Sequence, residues 1–212
     1  MGCPYYERLF VEKVSLEKQN LAPTFIGSWT MSPLSICDEL IAYFELNKNK
    51  QKKGVIGSGI NLDAKNSTDI TISPKDMKLP GNEIFEEYFH NLYFCYQDYV
   101  TEWPFLATFA ENLQISSFNL QRYQRGQHFQ NLHTERSNIA TLHRVFAWMT
   151  YLNDVDQEDG GSTLFSHYDL AIQPRKGLTL IWPAEWTHAH KGSVLKANNK
   201  YIITGWMTFP NN

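Results

Sequence analysis

Histidine is unevenly distributed along this chain of 212 residues. Six of the seven histidines, all except His90, lie between His128 and His190. Imidazole groups bind transition metals and exchange protons near neutral pH. The clustering therefore predicts a metal site or an acid–base site in this part of the chain.

Two short patterns within this segment have the spacing of metal ligands. In His133-Thr134-Glu135, the alternation of side chains along a strand would place an imidazole and a carboxylate on the same face. The second pattern, His188-Ala189-His190, follows an apolar stretch, and either of its histidines could supply another imidazole. Each tripeptide by itself occurs by chance in many proteins, so neither carries the assignment alone.

Taken together, the two patterns indicate one site. Two imidazoles and one carboxylate form the facial triad of non-haem Fe(II) centres, which leaves other positions on the metal open. A structural zinc site would need four ligands, usually including cysteine, and residues 128–190 contain no cysteine. The residue types therefore favour a reactive iron centre.

The elements that must position these ligands have the composition of short β-strands. Apolar stretches after about residue 114 are rich in β-branched and aromatic residues and are separated by Gly, Pro, Asn and Asp. The predicted strands are residues 115–123, 145–151, 170–172, 178–182 and 201–207. Because helices do not alternate with these strands, an antiparallel sandwich or jelly roll is favoured over a doubly wound sheet.

The first half of the chain predicts two amphipathic helices that pack against this sheet. One would begin at Ser32 and Pro33, since serine can cap a helix and proline suits its first turn. The second would run over about residues 81–100, and a short strand is predicted at residues 70–72. The basic run at residues 48–53 is interpreted as a solvated loop.

The composition limits the class of protein. With 42% hydrophobic and 19% charged residues, the chain can form one domain with a hydrophobic core. Its formal net charge of −3 makes nucleic acid and anionic membranes unexpected partners, and no apolar run is long enough to span a bilayer. Cys3, Cys37 and Cys95 are widely spaced and no signal peptide precedes them, which predicts reduced thiols and a cytoplasmic location.

Further motifs over roughly residues 118–209 resemble those of the prolyl 4-hydroxylase-type 2-oxoglutarate/Fe(II) dioxygenases, and of similar bacterial and phage oxygenases. These motifs are Tyr123-x-x-Gly126-x-x-Phe129, His133-x-Glu135, Arg144, Tyr151-Leu152-Asn153-Asp154-Val155, Gly160-Gly161-x-Thr163-x-Phe165, His190-x-Gly192 and Lys200. The resemblance implies a double-stranded β-helix, which is a jelly roll with iron at one mouth. Residues 1–212 would then be a single domain, with a helical and loop support region at 1–113 and a catalytic core at 114–212.

The resemblance also implies roles for particular residues. His133, Glu135 and His190 correspond to the metal ligands. His190 is preferred to His188 because the family's co-substrate lysine lies ten residues after the distal histidine, as Lys200 does after His190. Lys200 would pair with the distal carboxylate of 2-oxoglutarate. The other candidates are Tyr123 and Thr163 at the co-substrate, and Arg144, Trp206 and His188 near the substrate or behind the ligands, with Arg144 and Tyr123 also the catalytic candidates.

The implied reaction is hydroxylation of an unactivated C–H bond, of a prolyl or other amino-acid residue or of a small molecule, with release of succinate and CO2. The implied cofactors are Fe(II), 2-oxoglutarate, O2 and ascorbate. In this chain Glu135 stands where the family normally has aspartate, and glutamate is longer by one methylene. The sequence does not indicate an oligomeric state.

Two other classes of protein are alternatives. A cupin-like jelly roll could bind a metal and a small molecule without catalysis, but cupin motifs begin with a close histidine pair, whereas here the H-x-E pattern comes first. A structural protein that merely keeps the fold gives no reason for a lysine ten residues after a ligand. The order and spacing of the residues therefore favour the oxygenase.

Overall fold

The computed structural model describes residues 23–57 and 59–210, and most of its regular elements are β-strands. In the described part of the chain the helices are α1 (Ser35–Leu46), α2 (Glu83–Glu102) and α3 (Leu106–Phe109). The strands are β1 (Gly27–Thr30), β2 (Lys52–Lys53), β3 (Lys65–Asn66), β4 (Thr68–Ile72), β5 (Gln114–Ile115), β6 (Phe118–Tyr123), β7 (His128–His133), β8 (Arg144–Tyr151), β9 (Thr163–Phe165), β10 (Leu170–Ile172), β11 (Leu178–Pro183), β12 (His190–Gly192) and β13 (Lys200–Thr208).

The strands form two antiparallel sheets. The larger sheet has the order β1-β11-β8-β13-β6-β4-β2, with β5 paired to β13. The smaller sheet has the order β10-β9-β12-β7-β3. Strands that are distant in sequence lie side by side in both sheets, as in a jelly roll, and the predicted mainly β fold with flanking helices is confirmed.

The larger sheet has one apolar face, which is covered by the helices. Along β4 the side chains alternate, so Ile70 and Ile72 lie on this face while Asp69 and Thr71 lie on the other. Helix α2 packs on the apolar face through aromatic contacts, with the rings of Phe85 and Phe118 5.3 Å apart. The opposite face of the sheet is turned toward the smaller sheet and is free to carry polar residues.

The observed elements agree with most of the predicted ones, with one correction at the first helix. We expected Ser32 to cap this helix, but α1 begins at Ser35 and has no side-chain cap at Leu34. A tight turn precedes the helix instead, in which the N–H of Ile36 bonds the carbonyl of Pro33 and the N–H of Cys37 bonds that of Leu34. Backbone carbonyls thereby accept from the first-turn donors that a capping side chain at position 34 would have satisfied.

The first half of the chain contributes more than support helices. Strands β1, β2 and β4 belong to the larger sheet and β3 belongs to the smaller one. Cys37 and Cys95 are buried free thiols, and burial raises the pKa of each to about 11. Cys3 lies outside the described residues. No described helix is both long and apolar enough to span a membrane.

Candidate active site

A cavity of about 640 Å³ lies between the two sheets. Its walls come from the polar face of the larger sheet and from the facing side of the smaller sheet. Nearly all the residues singled out from the sequence line this cavity, namely Tyr123, His133, Glu135, Arg144, Thr163, His190, Lys200 and Trp206. His188 is the one candidate that does not line it.

The two patterns meet at one end of this cavity. Strands β7 and β12 pair with His133 opposite His190, and Glu135 follows β7 by two residues. The carboxylate Oε1 of Glu135 lies 3.6 Å from Nε2 of His133 and 3.4 Å from Nε2 of His190. One ligand atom from each residue falls within 4.8 Å of the others, so the three could hold a metal ion.

His133 and Glu135 lie close together as predicted, but they do not share a strand face. We expected both residues on one strand face, whereas β7 ends at His133 and Glu135 lies in a bend beyond it. A bend lets the longer glutamate side chain turn back toward the histidines. The extra methylene of Glu135 therefore gives the side chain the reach it needs where the backbone leaves the strand direction.

Both imidazole rings are oriented by main-chain carbonyls. Nδ1 of His133 lies 2.8 Å from the carbonyl oxygen of Asn131, and Nδ1 of His190 lies 2.9 Å from that of His188. A carbonyl can only accept a hydrogen bond, so Nδ1 carries the hydrogen in each ring. In the neutral ring Nε2 then keeps its lone pair, which is the form that binds a metal.

Glu135 is held by groups on the opposite side from the histidines. Nε1 of Trp206 donates to its Oε2 at 2.7 Å, which leaves Oε1 toward the histidines. Arg144 donates to the Glu135 main-chain carbonyl at 2.9 Å, and its guanidinium lies 3.7 Å from the Trp206 ring centroid. Burial by itself would raise the pKa of Glu135, but the two imidazoles outweigh it and hold that pKa well below its usual range.

His188 has a different environment from His190. It lies in the turn Trp186–His188, and its Nε2 is 2.8 Å from the carbonyl oxygen of Thr24 and 3.3 Å from the Tyr168 hydroxyl. Burial lowers the pKa of His188. Its side chain thus ties the turn to residues outside the cavity, while its main-chain carbonyl orients the His190 ring.

Lys200, the co-substrate candidate, is a buried lysine without a carboxylate partner among the described residues. Its side-chain Nζ donates to the Gly161 carbonyl at 2.8 Å and lies 4.6 Å from the centroid of the Tyr123 ring. Burial lowers the pKa of Lys200 to about 8. Thr163 also lines this part of the cavity and accepts a hydrogen bond of 2.6 Å from the Tyr151 hydroxyl.

A buried polar network beside Tyr123 was not identified from the sequence. The Tyr123 hydroxyl donates to Gln121 at 2.8 Å, and the Gln121 amide in turn lies 3.3 Å from Asp69. Asp69 also accepts bonds of 2.7 Å from Lys65 and from Ser67. The available signal was the alternation of Asp69 and Thr71 with two isoleucines, which marks β4 as a strand with one polar face.

Comparison with known proteins relates this chain to an enzyme family. The family model of the 2OG-Fe(II) oxygenase superfamily matches residues 118–208, from the start of β6 to the end of β13. The matched segment is 91 of the 212 residues. The family implies Fe(II), 2-oxoglutarate and O2, and the protein is a 2-oxoglutarate/Fe(II) dioxygenase. No curated protein matches the chain.

Solved structures with this fold include several prolyl hydroxylases. A Pseudomonas putida prolyl-4-hydroxylase is 14% identical, with 91% of this chain and 96% of that chain covered at a TM-score of 0.68. The Trichoplax adhaerens prolyl hydroxylase, solved with a hypoxia inducible factor peptide fragment, is 16% identical over 87% of this chain and 84% of its own, also at 0.68. The viral collagen prolyl hydroxylase of Paramecium Bursaria Chlorella virus-1, in a 2OG complex, is 19% identical over 86% and 95% at 0.57.

The residues of this oxygenase are chemically suited to Fe(II). The donor set has two imidazoles and one carboxylate, whose ligand atoms all lie within 4.8 Å of one another. Nitrogen and oxygen donors of this kind suit Fe(II), and three protein ligands leave positions for a co-substrate. The carboxylate and both rings are each held by a hydrogen bond from behind, as is usual for metal ligands.

Proposed function

We propose that this dioxygenase hydroxylates a prolyl or other amino-acid residue within a peptide, and that the reaction takes place in the cavity between the two sheets. His133, Glu135 and His190 would hold Fe(II), and the bound metal would supply the activation of O2. The support region at residues 1–113 and the core at 114–212 would act as one domain. The cytoplasmic location and the ascorbate dependence stay predictions.

One observation carries this proposal, namely the convergence of the triad and Lys200 in a single cavity. In our proposal the Lys200 ammonium pairs with the distal carboxylate of 2-oxoglutarate, and this pairing orients the other end of the co-substrate toward the triad. Tyr123 lies beside this lysine, and burial raises its pKa well above the usual range, so it keeps its hydroxyl hydrogen. Thr163 accepts from Tyr151 and can donate its own hydroxyl hydrogen to the co-substrate, whereas Tyr123 would have to exchange its bond to Gln121 for one to the co-substrate.

Arg144 and Trp206 are proposed to position Glu135. Both contact Glu135 in the structure, the arginine at the main-chain carbonyl and the tryptophan at Oε2. Both also line the cavity, so their outer surfaces can contact the substrate. Aromatic side chains, including the buried Trp182, line the cavity near the triad.

Metal binding by variants tests the triad. Replacing His133, Glu135 or His190 by alanine is expected to weaken Fe(II) retention strongly, because each change removes one of three ligands. His188→Ala is the matched control and should retain most of the metal, since its side chain bonds Thr24 rather than the cavity. Loss of Fe(II) from His188→Ala but not from His190→Ala would overturn the assignment. Glu135→Asp should also bind more weakly, because the bend is adapted to the longer acid.

Anaerobic titration separates the oxygenase from a cupin-like binding protein, an alternative that nothing observed favours. Fe(II) and 2-oxoglutarate together should give a weak visible absorption band with the full chain, and 2-oxoglutarate without Fe(II) should not. A chain that binds the metal without any response to 2-oxoglutarate would contradict the proposal. Succinate release in air with a proline-containing peptide then tests the substrate class.

A further inference from the structure

Three lysines of the basic run lie at the rim of the active-site cavity. Lys50, Lys52 and Lys53 line it and are exposed, whereas Lys48 does not line it. The sequence predicted a solvated loop here, and the exposure agrees with that. The fold shows in addition that the run passes beside the entrance to the cavity, which the sequence did not indicate.

Strand pairing explains why Lys52 reaches the cavity. Lys52 pairs with Asp69 on β4, and Asp69 pairs with Gln121 on β6. Directly paired residues of neighbouring strands share a face of the sheet, so Lys52 lies on the same face as Asp69 and Gln121. Both of these residues line the cavity, which places Lys52 at the outer edge of the same polar face.

The charge of these lysines is not balanced within the described part of the chain. Among the described residues, no carboxylate lies within 4.0 Å of the ammonium groups of Lys50, Lys52 or Lys53. The two carboxylates that line the cavity are already engaged, Asp69 by Lys65 and Glu135 by the histidines and Trp206. The rim is therefore locally positive in a chain whose net charge is −3.

The rim also offers features that suit a polypeptide. Strand β2 pairs only with β4 among the described strands, so its outer edge is available to an extended chain. Val55 and Ile56 extend the same side of the cavity with apolar surface, and Asn138 and Thr141 contribute uncharged polar groups. Lysines at a sheet edge also prevent association of sheets, but that role does not account for Lys50, which precedes the strand.

Nucleic acid is less well matched than an acidic polypeptide. Binding of single strands uses aromatic side chains on which bases stack. The aromatic residues of the cavity are already engaged or buried, since Phe129 stacks on His133 at 3.9 Å, Trp206 is covered by Arg144, and Tyr123 and Trp182 are buried. Tyr43 lies beside Lys50 and accepts a hydrogen bond of 3.0 Å from its ammonium, but this ring is buried and offers no face to a base.

We propose that the substrate is an acidic peptide segment, whose carboxylates contact Lys50, Lys52 and Lys53 while the target residue enters the cavity. This inference rests on the proposed function, because it names the substrate class of the same site. The peptide lies along the open edge of β2, with its acidic side chains at the rim and its reacting residue toward the triad.

Anisotropy of fluorescent peptides tests the proposal with the full chain, Fe(II) and 2-oxoglutarate under anaerobic conditions, so that binding is measured without turnover. The probes are two peptides that differ only in glutamate or glutamine on either side of a central proline. We expect the glutamate peptide to bind about tenfold more tightly at low salt, because each exposed ion pair contributes a factor of about two. Added salt should remove this preference.

The charge-reversed variant and its control carry equal changes of charge. Replacing Lys50, Lys52 and Lys53 together by glutamate should abolish the preference for the acidic peptide, and replacing them by glutamine should reduce it. Replacing Lys75, Lys78 and Lys196 by glutamate changes exposed lysines outside the cavity by the same amount and should preserve it. The glutamine variant makes the smaller perturbation of the fold, so the test stands even if the charge-reversed chain fails to fold.

Three results would overturn the inference. These are equal binding of the two peptides, an unchanged preference in the glutamine variant, and tighter binding of a single-stranded oligonucleotide of matched charge. Failure of the proposed function is distinguishable, because it would leave acidic-peptide binding intact while Fe(II) and 2-oxoglutarate gave no succinate in air.

Discussion

Two buried lysines line the cavity, one on each sheet, and they have opposite environments. Lys65 on β3 is 4% exposed and Lys200 on β13 is 5% exposed. The ammonium of Lys65 lies 2.7 Å from Asp69, which is itself held by Ser67. The ammonium of Lys200 contacts the Gly161 carbonyl and the Tyr123 ring, and no described carboxylate neutralises it.

The difference fits a structural role for Lys65 and the proposed co-substrate role for Lys200. Burying an ammonium group is costly unless a partner compensates it. Lys65 has its partner within the fold, so its pair links β3 of the smaller sheet to β4 of the larger one. Lys200 has no such partner among the described residues, so the cost of burying its ammonium group is not compensated. Burial lowers its pKa to about 8. A ligand carboxylate would relieve that cost, which is why we assign Lys200 and not Lys65 to the co-substrate.

The largest expected effect is on stability, from breaking the Lys65 pair. Lys65→Met should lower the free energy of unfolding by about 3–5 kcal/mol, because Asp69 is left buried and uncompensated. The double variant Lys65→Met, Asp69→Leu should recover most of this loss, since no charge then stays buried. Urea unfolding measures both. A loss below about 1 kcal/mol in the single variant would mean that the two lysines do not differ as described.

The second prediction concerns co-substrate affinity. Lys200→Ala should raise the half-saturation for 2-oxoglutarate by about a hundredfold, or about 2.8 kcal/mol. Fe(II) affinity without the co-substrate should change little, because the lysine does not contact the triad. Lys200→Arg should be intermediate, since the charge is kept but the planar guanidinium needs a different approach. Succinate release and metal titration of the same variants check this, and an unchanged 2-oxoglutarate dependence would remove Lys200 from the site.

The third prediction is a pH dependence of co-substrate binding. Since the pKa of Lys200 is about 8 in the folded protein, the ammonium loses its proton as the pH rises above that value. The dissociation constant for 2-oxoglutarate should therefore be about tenfold higher at about pH 9 than well below pH 8, because only about a tenth of the lysine is then charged. Lys200→Arg should bind more weakly but without this dependence, because arginine stays charged. Calorimetric titration of the two proteins over this pH range provides the comparison.

The smallest effect is a gain of stability. Lys200→Met should raise the free energy of unfolding by about 1 kcal/mol at neutral pH without co-substrate, because an uncompensated buried ammonium is replaced by an apolar chain of similar length. The wild-type pKa is depressed from 10.5, so between about pH 8 and 10.5 the unfolded chain binds more protons and wild-type stability rises with pH. The advantage of the variant should consequently shrink over that range. Thermal unfolding at several pH values measures it, and a destabilised Lys200→Met at neutral pH would indicate a structural role.

Sequence reasoning succeeded where the pattern was apolar and continuous. Helix α2 and the long strands β8 and β13 lie close to their predicted positions, because one face of each is buried and gives a clear periodicity. The short strands β7 and β12 were not among the strands predicted from apolar composition, although the ligand spacing assumed a strand at His133. They contain mostly polar or partly exposed residues, so neither propensity nor alternation distinguishes them from loops.

Within the candidate site, local spacing was informative and tertiary contact was not predictable. The positions of His133, Glu135, His190 and Lys200 suggested a common site, and the fold brings all four to one cavity. The Asp69 network depends on pairing between β4 and β6, which are far apart in sequence. The location of the lysine rim depends on the same pairing, and so no local pattern could have indicated it.

The carbonyl contacts of the two histidine rings bear on how this site tolerates sequence drift. In both cases the accepting carbonyl belongs to the residue two positions earlier, Asn131 for His133 and His188 for His190. Every amino acid carries that carbonyl, so substitution of the preceding side chains leaves the ring orientation intact provided that the backbone path is kept. The orientation of each ring therefore does not depend on the identity of the side chain two positions earlier. Substitutions there should preserve the ring form that binds a metal.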